Sequence, residues 1–260
     1  MTLIAVITGA ASGLGRLAAQ RLVVEGWTVA AIDLPGEALE TMAESVGAYA
    51  FGCDVGDPEQ VRRVRDEVLS RLGGIDRLVN AAGIARPGTV TDVPEDEFAR
   101  SIRVNYLGTV HWVKAVLPTM RARGSGEMVL FASFAGFFPT PGMGAYVATK
   151  FAVVGFYETL AMELHGSGIK IRCVCPAAVD TPMLDGIFAA GLPDRMRALS
   201  RTTSPEAVIG AIDASLRVRR EAAFVFPDVM TRVLWRLRRA SPGLLSLLVR
   251  KVSAGAARGT

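Results

Sequence analysis

Short apolar runs rich in β-branched residues alternate along the chain with longer segments whose apolar positions recur every three to four residues. The runs at 3–7, 28–32, 49–53, 77–81, 128–132, 170–175 and 222–226 are nearly continuous in hydrophobicity. Strands of a parallel sheet covered on both faces by helices read this way. Between them, 13–25, 36–45, 58–72, 94–123, 146–165 and 205–217 carry helical periodicity. Ser204-Pro205-Glu206 marks one helix start, with an N-cap serine and proline at the first helical position. Strand–helix alternation over so much of the chain predicts a doubly wound, Rossmann-type α/β sheet of seven mainly parallel strands with right-handed crossovers. No repeat or linker interrupts it. The expected layout is one domain over 1–227 and a tail over 228–260.

Composition narrows the class. Half of the residues are hydrophobic and 21% are charged, as in a well-buried globular core. The opening residues MTLIAVITGA lack the basic start of a signal peptide, and no apolar stretch is long enough to span a bilayer. Three cysteines, Cys53, Cys173 and Cys175, lie in strand-like runs without a disulfide framework, which points to reduced thiols in a cytoplasmic setting. His111 and His165 belong to no Cys/His cluster, so no metal site is expected. The net charge of +4 hides an asymmetry: residues 1–216 hold 19 basic and 23 acidic side chains, residues 217–260 ten and two.

Chemistry enters where the strands end. The first strand runs into Thr8-Gly9-Ala10-Ala11-Ser12-Gly13-Leu14-Gly15 and then a helix. Glycines there let the backbone turn tightly and approach a pyrophosphate, while the helix N-terminus offers free N–H groups to it. The second strand ends at Asp33, whose carboxylate suits the two hydroxyls of an adenine ribose and repels a 2′-phosphate. That selects NAD. Arg16 is the residue that would serve NADP instead. Further along stand Asn80-Ala81-Ala82-Gly83, then Asn105, Ser133, Tyr146 and Lys150. Tyr146 and Lys150, four apart in a helical pattern, leave the same helix face. An ammonium beside a phenol is expected to lower the phenol pKa, giving a proton carrier for an alcohol or carbonyl. Ser133, at the end of a strand, is placed to hydrogen-bond the developing oxyanion.

In this order and spacing the residues resemble the short-chain dehydrogenase/reductase family, in its shorter single-domain branch, over about residues 3–226. The resemblance implies an oxidoreductase that interconverts an alcohol and a carbonyl compound, with Tyr146 as general acid/base. Asn105 is implied to perturb its helix and hold a water that joins Lys150 to solvent. Cys53-Asp54-Val55 is implied to meet the adenine ring, with Asp54 also a candidate cap of the following helix. Asn80, Ala81 and Gly83 are implied to let the adenosine side lie close to the sheet. Pro176, Val179 and Thr181 are implied to orient the nicotinamide. Ala177 departs from the family's Pro-Gly, which puts the backbone path there in question. The resemblance also implies a homodimer or homotetramer.

The pocket wall is expected from Ile84, Phe134, Phe137, Phe138, Met143 and the segment 183–199, which holds Ile187, Phe188, Leu192 and Met196. Such a lining suits a small hydrophobic alcohol or ketone, steroid-, retinoid- or fatty-like. Arg195 and Arg197 are its exceptions, read as a solvated helix face or as partners of an acidic group. In the tail, Arg232, Arg236 and Arg239 recur at helical spacing beside Val229, Met230, Val233, Leu234 and Leu237, and Pro242-Gly243 precedes a short apolar run at 244–249. This is a basic amphipathic helix, read either as packing over the pocket or on a partner subunit, or as peripheral contact with an anionic membrane. Nucleic acid is not an expected partner. The competing functions are a non-catalytic nucleotide sensor, an NADP-dependent carbonyl reductase and an epimerase or dehydratase. The intact Ser133/Tyr146/Lys150 set opposes the first, and the 85 residues after Cys175 leave little room for the last.

Overall fold

In the computed structural model, which describes residues 2–190 and 202–241, seven strands form one parallel sheet in the order β3-β2-β1-β4-β5-β6-β7. The strands are β1 (Ile4–Thr8), β2 (Thr28–Asp33), β3 (Tyr49–Gly52), β4 (Arg77–Asn80), β5 (Gly126–Phe131), β6 (Ile169–Val174) and β7 (Ala222–Val225). Every pairing is parallel. Four of the strands start where the hydrophobic run predicts, and the other ends differ by one or two residues. Ala81, Ala132 and Cys175 lie just past the ladder, at the edge where ligand-facing loops begin.

The helices are α1 (Gly13–Val24), α2 (Glu37–Val46), α3 (Pro58–Leu72), α4 (Glu95–Ser101), α5 (Gly108–Arg123), α6 (Gly144–Glu163), α7 (Pro182–Ala189), α8 (Pro205–Arg217) and α9 (Val229–Ala240). Alternate residues of a strand bury on opposite faces of the sheet. Ala5 and Ile7 of β1 pack with Ala19 and Leu22 of α1, Leu39 of α2 and Ile212 of α8. Val6 joins the other layer, built from α3, α5 and α6 around the fully buried Trp112. Covered on both sides, β1 is buried at all five positions.

The region 94–123, expected as one helix, is interrupted. Between α4 and α5 the turns of Ile102–Leu107 widen to π-helix. Such a bulge adds a residue to one turn and re-aims the side chains in it. Asn105 sits inside it and is 1% exposed. Beyond β7, Trp235 of α9 packs on Phe224 and Phe226, with ring centroids 5.7 and 5.1 Å apart. This part of the tail is thereby joined to the sheet.

Chain order turns back between β1 and β4, and a crevice opens above the carboxyl ends of the strands at such a reversal. Among the described residues, Ser133, Tyr146 and Lys150 lie at that edge.

Candidate active site

A cleft of about 1050 Å³ opens over the carboxyl ends of the central strands. Its floor includes Ser133, Tyr146 and Lys150. Ser133 follows β5 in extended conformation and caps the single 3-10 turn Phe134–Gly136, its Oγ accepting from Ala135 N at 3.1 Å. That turn rests directly on α6: a Cβ on Gly136 would lie 2.8 Å from the Lys150 carbonyl oxygen. Glycine there brings the Ser133 loop against the helix that carries Tyr146 and Lys150.

Tyr146 and Ser133 line the same wall of the cleft. Burial raises the Tyr146 phenol above the usual value, and the neighbouring Ser133 hydroxyl opposes that shift. The direction differs from the lowered phenol expected beside Lys150, because desolvation is the largest influence on it. The ammonium is itself affected, since burial pulls Lys150 down to about 8. Its Nζ lies 5.4 Å from the Tyr146 ring centroid and donates to the Phe131 carbonyl at 2.8 Å.

Asn105 makes direct contacts on three sides. Its Oδ1 accepts from Ile84 N at 2.8 Å, and its Nδ2 donates to Ile84 O at 2.9 Å and to Thr149 Oγ1 at 3.0 Å. Thr149 Oγ1 in turn donates to the Tyr146 carbonyl at 2.7 Å. On the other side, Thr109 Oγ1 donates to the Asn105 carbonyl at 2.8 Å and accepts from Asn80 Nδ2 at 2.8 Å. Asn80 Oδ1 accepts from Thr8 Oγ1 at 3.3 Å, and Thr8 Oγ1 accepts from Ala82 N at 3.0 Å. A continuous buried chain thus links the end of β1 to the turn of α6 that holds Tyr146. Thr8, Thr109 and Thr149 are its unforeseen members; single threonines inside apolar runs carry no sequence signal.

The glycine turn fits a dinucleotide. A Cβ on Gly15 would stand 2.1 Å from the Gly9 carbonyl oxygen, so α1 starts as close to the strand end as backbone allows. Ser12 provides no side-chain cap, leaving the first N–H groups of α1 available to an anion. Gly9 and Gly13 take positive φ, as the turn requires. Asp33 Oδ2 accepts from Ala11 N at 2.9 Å and Oδ1 from Leu34 N at 2.8 Å, which locks the carboxylate beside that turn. Arg16 is exposed.

Leu14, Ala81 and Gly83 line the cleft on this side; Pro176, Val179 and Thr181 line it from the β6–α7 loop. A Cβ on Gly13 would lie 3.8 Å from the Thr181 side chain, so the two loops face each other across the crevice. Ala177 also lines it, and no described non-glycine residue has positive φ, so alanine follows this path without strain. One expected cofactor residue is turned elsewhere. Asn80 is 3% exposed with its amide engaged by Thr8 and Thr109, so its side chain braces the framework. Asp54 Oδ1 accepts from Gly56 N at 2.8 Å, while Asp57 caps α3; the cap expected of Asp54 belongs to Asp57. Val55, which follows it, is buried.

Of the expected substrate wall, Phe134, Met143, Ile187 and Phe188 line the cleft. Phe138 is absent from that lining and stacks behind Phe134 at 4.5 Å. Phe137 instead joins the cluster of Phe224, Phe226 and Trp235. Ile84 is held by Asn105. Helix α9 contributes Val229, Met230, Val233 and Leu234 to the cleft, which the sequence offered only as one of two positions for the tail. Leu192, Arg195, Met196 and Arg197, and the run 244–249, lie outside the described residues.

Known proteins share this arrangement. The family profile described as short chain dehydrogenase matches residues 3–190. A 2-dehydro-3-deoxy-L-rhamnonate dehydrogenase (NAD(+)) of Sphingomonas sp. is 35% identical over 213 residues, 81% of this chain and 84% of its own. Human epidermal retinol dehydrogenase 2 is 35% identical over 218 residues, 80% of this chain and 70% of its own. The crystal structure of a short chain dehydrogenase/reductase from Burkholderia phymatum in complex with NAD superposes with a TM-score of 0.82 at 27% identity, covering 94% of this chain and 95% of that one. The glycine turn, the Ser133/Tyr146/Lys150 floor and these likenesses agree: this chain belongs to the short-chain dehydrogenase family, as an oxidoreductase acting on CH–OH groups.

Proposed function

We propose that this protein uses NAD to interconvert a secondary alcohol and a ketone, or a primary alcohol and an aldehyde, on a neutral hydrophobic substrate. The observation that carries the reading is the placement of Ser133, Tyr146 and Lys150 together in the lining of an apolar cleft. When bound, NAD supplies the ring that accepts or returns a hydride. Asp33 and the open N-terminus of α1 would hold its ribose and pyrophosphate. The Ser133 hydroxyl holds the substrate oxygen. The Tyr146 phenolate takes the proton of that oxygen during oxidation, and the phenol returns it during reduction. Lys150, fixed by the Phe131 carbonyl, favours the phenolate as long as its ammonium is charged.

The substrate class follows from what the lining offers. Among the described residues that line the cleft, Lys150 and Asp228 are the charged ones, and both are engaged: Lys150 with Phe131, Asp228 with Thr231. No described arginine lines it, so the described lining offers no free counter-charge to a carboxylate or phosphate group on the substrate. Phe134, Met143, Met183, Leu184 and Ile187 instead offer apolar surface.

A series of secondary alcohols of increasing chain length, assayed by cofactor absorbance with NAD and with NADP, tests this. The expected result is kcat/KM rising with apolar chain length and NAD preferred. Turnover unchanged in Tyr146→Phe would remove the mechanism. Selective turnover of short acidic substrates would remove the substrate class.

A further inference from the structure

We propose that the mouth of the cleft docks on an anionic lipid surface, with α9 lying in the plane of the headgroups. The inference concerns a surface and stands apart from the chemistry assigned to Tyr146. Helix α9 has three faces. Thr231, 2% exposed, and Trp235 anchor the first on β7 through Phe224 and Phe226. The second carries Val229, Met230 and Val233, which line the cleft yet are 72%, 63% and 50% exposed. They form an apolar lip. Met183 of α7, itself 39% exposed, adds to it. The third carries Arg232, Arg236 and Arg239, exposed at successive helical turns. Arg239 also stands over Trp235 and lies 3.8 Å from Glu158. No acidic residue occurs between 229 and 260, while residues 242–260 add Arg250, Lys251 and Arg258.

Two physical requirements meet in this arrangement. Aliphatic side chains exposed to this degree mark an interaction surface. A row of exposed guanidinium groups beside them suits an anionic partner. A lipid interface meets both at once, with headgroup phosphates for the arginines and the upper acyl region for valine and methionine. A helix of 12 residues is too short to span a bilayer, and among the described residues no helix is long and apolar enough to do so. Lying in the interface, α9 would open the cleft onto the membrane, where apolar alcohols partition.

The test is co-sedimentation of the full chain with vesicles of phosphatidylcholine, with and without phosphatidylglycerol. Binding is expected to the mixed vesicles and to weaken with salt. The double variant Arg232→Gln, Arg236→Gln should bind about fivefold more weakly per arginine removed. Val233→Asp should abolish binding at low salt; the position is exposed, and circular dichroism checks its folding. A chain that stays in the supernatant with anionic vesicles overturns the proposal. So does binding that both sets of variants leave unchanged. A third overturning outcome is a Val233→Asp chain that changes from dimer to monomer by light scattering without prior vesicle binding, because a second copy would then cover this face.

Discussion

Asn105 donates to Thr149 Oγ1 at 3.0 Å, and the same hydroxyl donates to the Tyr146 carbonyl at 2.7 Å. One buried hydroxyl therefore fixes the π-turn to the helical turn that carries the phenol. Thr149→Val keeps shape and β-branching but leaves one N–H of Asn105 without an acceptor. An orphaned buried donor costs about 1–3 kcal/mol. The variant should lose that much stability by urea denaturation and should also lose turnover, because the Tyr146 turn is released. Thr149→Ser, which restores the hydroxyl, should recover both. Equal behaviour of the two variants would mean that the hydroxyl is unimportant.

Lys150 gives stability a particular pH dependence. Its folded pKa is lowered by burial from 10.5 to about 8. Below pH 8 both states bind the proton and the folded state bears the whole cost of the buried charge. Between 8 and 10.5 the folded state releases a proton that the unfolded chain still binds, so the contribution of this group rises with pH. Lys150→Met removes that dependence. Its stability relative to the original chain should fall by up to ~3 kcal/mol from pH 7 to pH 10.5. Only this difference isolates the lysine, because the buried Cys53 and Tyr157 are shifted upward and act in the opposite sense. Parallel stability curves for the two proteins would show Lys150 to be unperturbed.

Asp33 decides between coenzymes in the proposed function. Replacing it by serine removes a carboxylate held at 2.9 Å by Ala11 N. Loss of a hydrogen bond to a charged group, at about 1.5–3 kcal/mol, corresponds to roughly 10- to 100-fold. The ratio of kcat/KM for NADP over NAD should rise by that factor in Asp33→Ser. A ratio that does not move would assign the choice to another residue.

Arg172, fully buried in β6, is the largest internal charge apart from the site. Its guanidinium donates to the carbonyls of Ser215, Glu221 and Arg220 at 2.8–2.9 Å, closing the end of α8 onto the start of β7. Arg172→Met leaves those carbonyls without their donors and should cost about 3 kcal/mol or more in urea denaturation. Cofactor binding should survive in the folded fraction, because the guanidinium is tied to residues that precede β7, and Arg172 is absent from the lining of the cleft.

Much of the fold is legible because a strand covered on both faces is hydrophobic almost throughout, as β1 is. The cofactor turn is equally legible, since only glycine tolerates the 2.1 Å approach at Gly15. The break in 94–123 is harder to see. A π-turn changes hydrogen bonding without changing hydrophobic period, so Asn105 alone hints at it. Phe137 and Phe138 show a second limit. Adjacent aromatic residues in a loop read alike, yet one joins the core cluster and the other stacks behind Phe134.

The sequence alone determined the sheet, the glycine turn and the candidates for the proposed catalytic set, because each needs particular residue types at a fixed spacing along one chain. Tertiary structure decided which way those residues act. It placed Asn80 and Asn105 in a brace of threonines drawn from β1, α5 and α6. It raised the Tyr146 phenol by burial where a neighbouring ammonium is expected to lower it, and it brought α9 to the lip of the cleft. Each of these depends on the distance between segments remote in the chain and on the water they exclude. Neither quantity is written in the order of the residues.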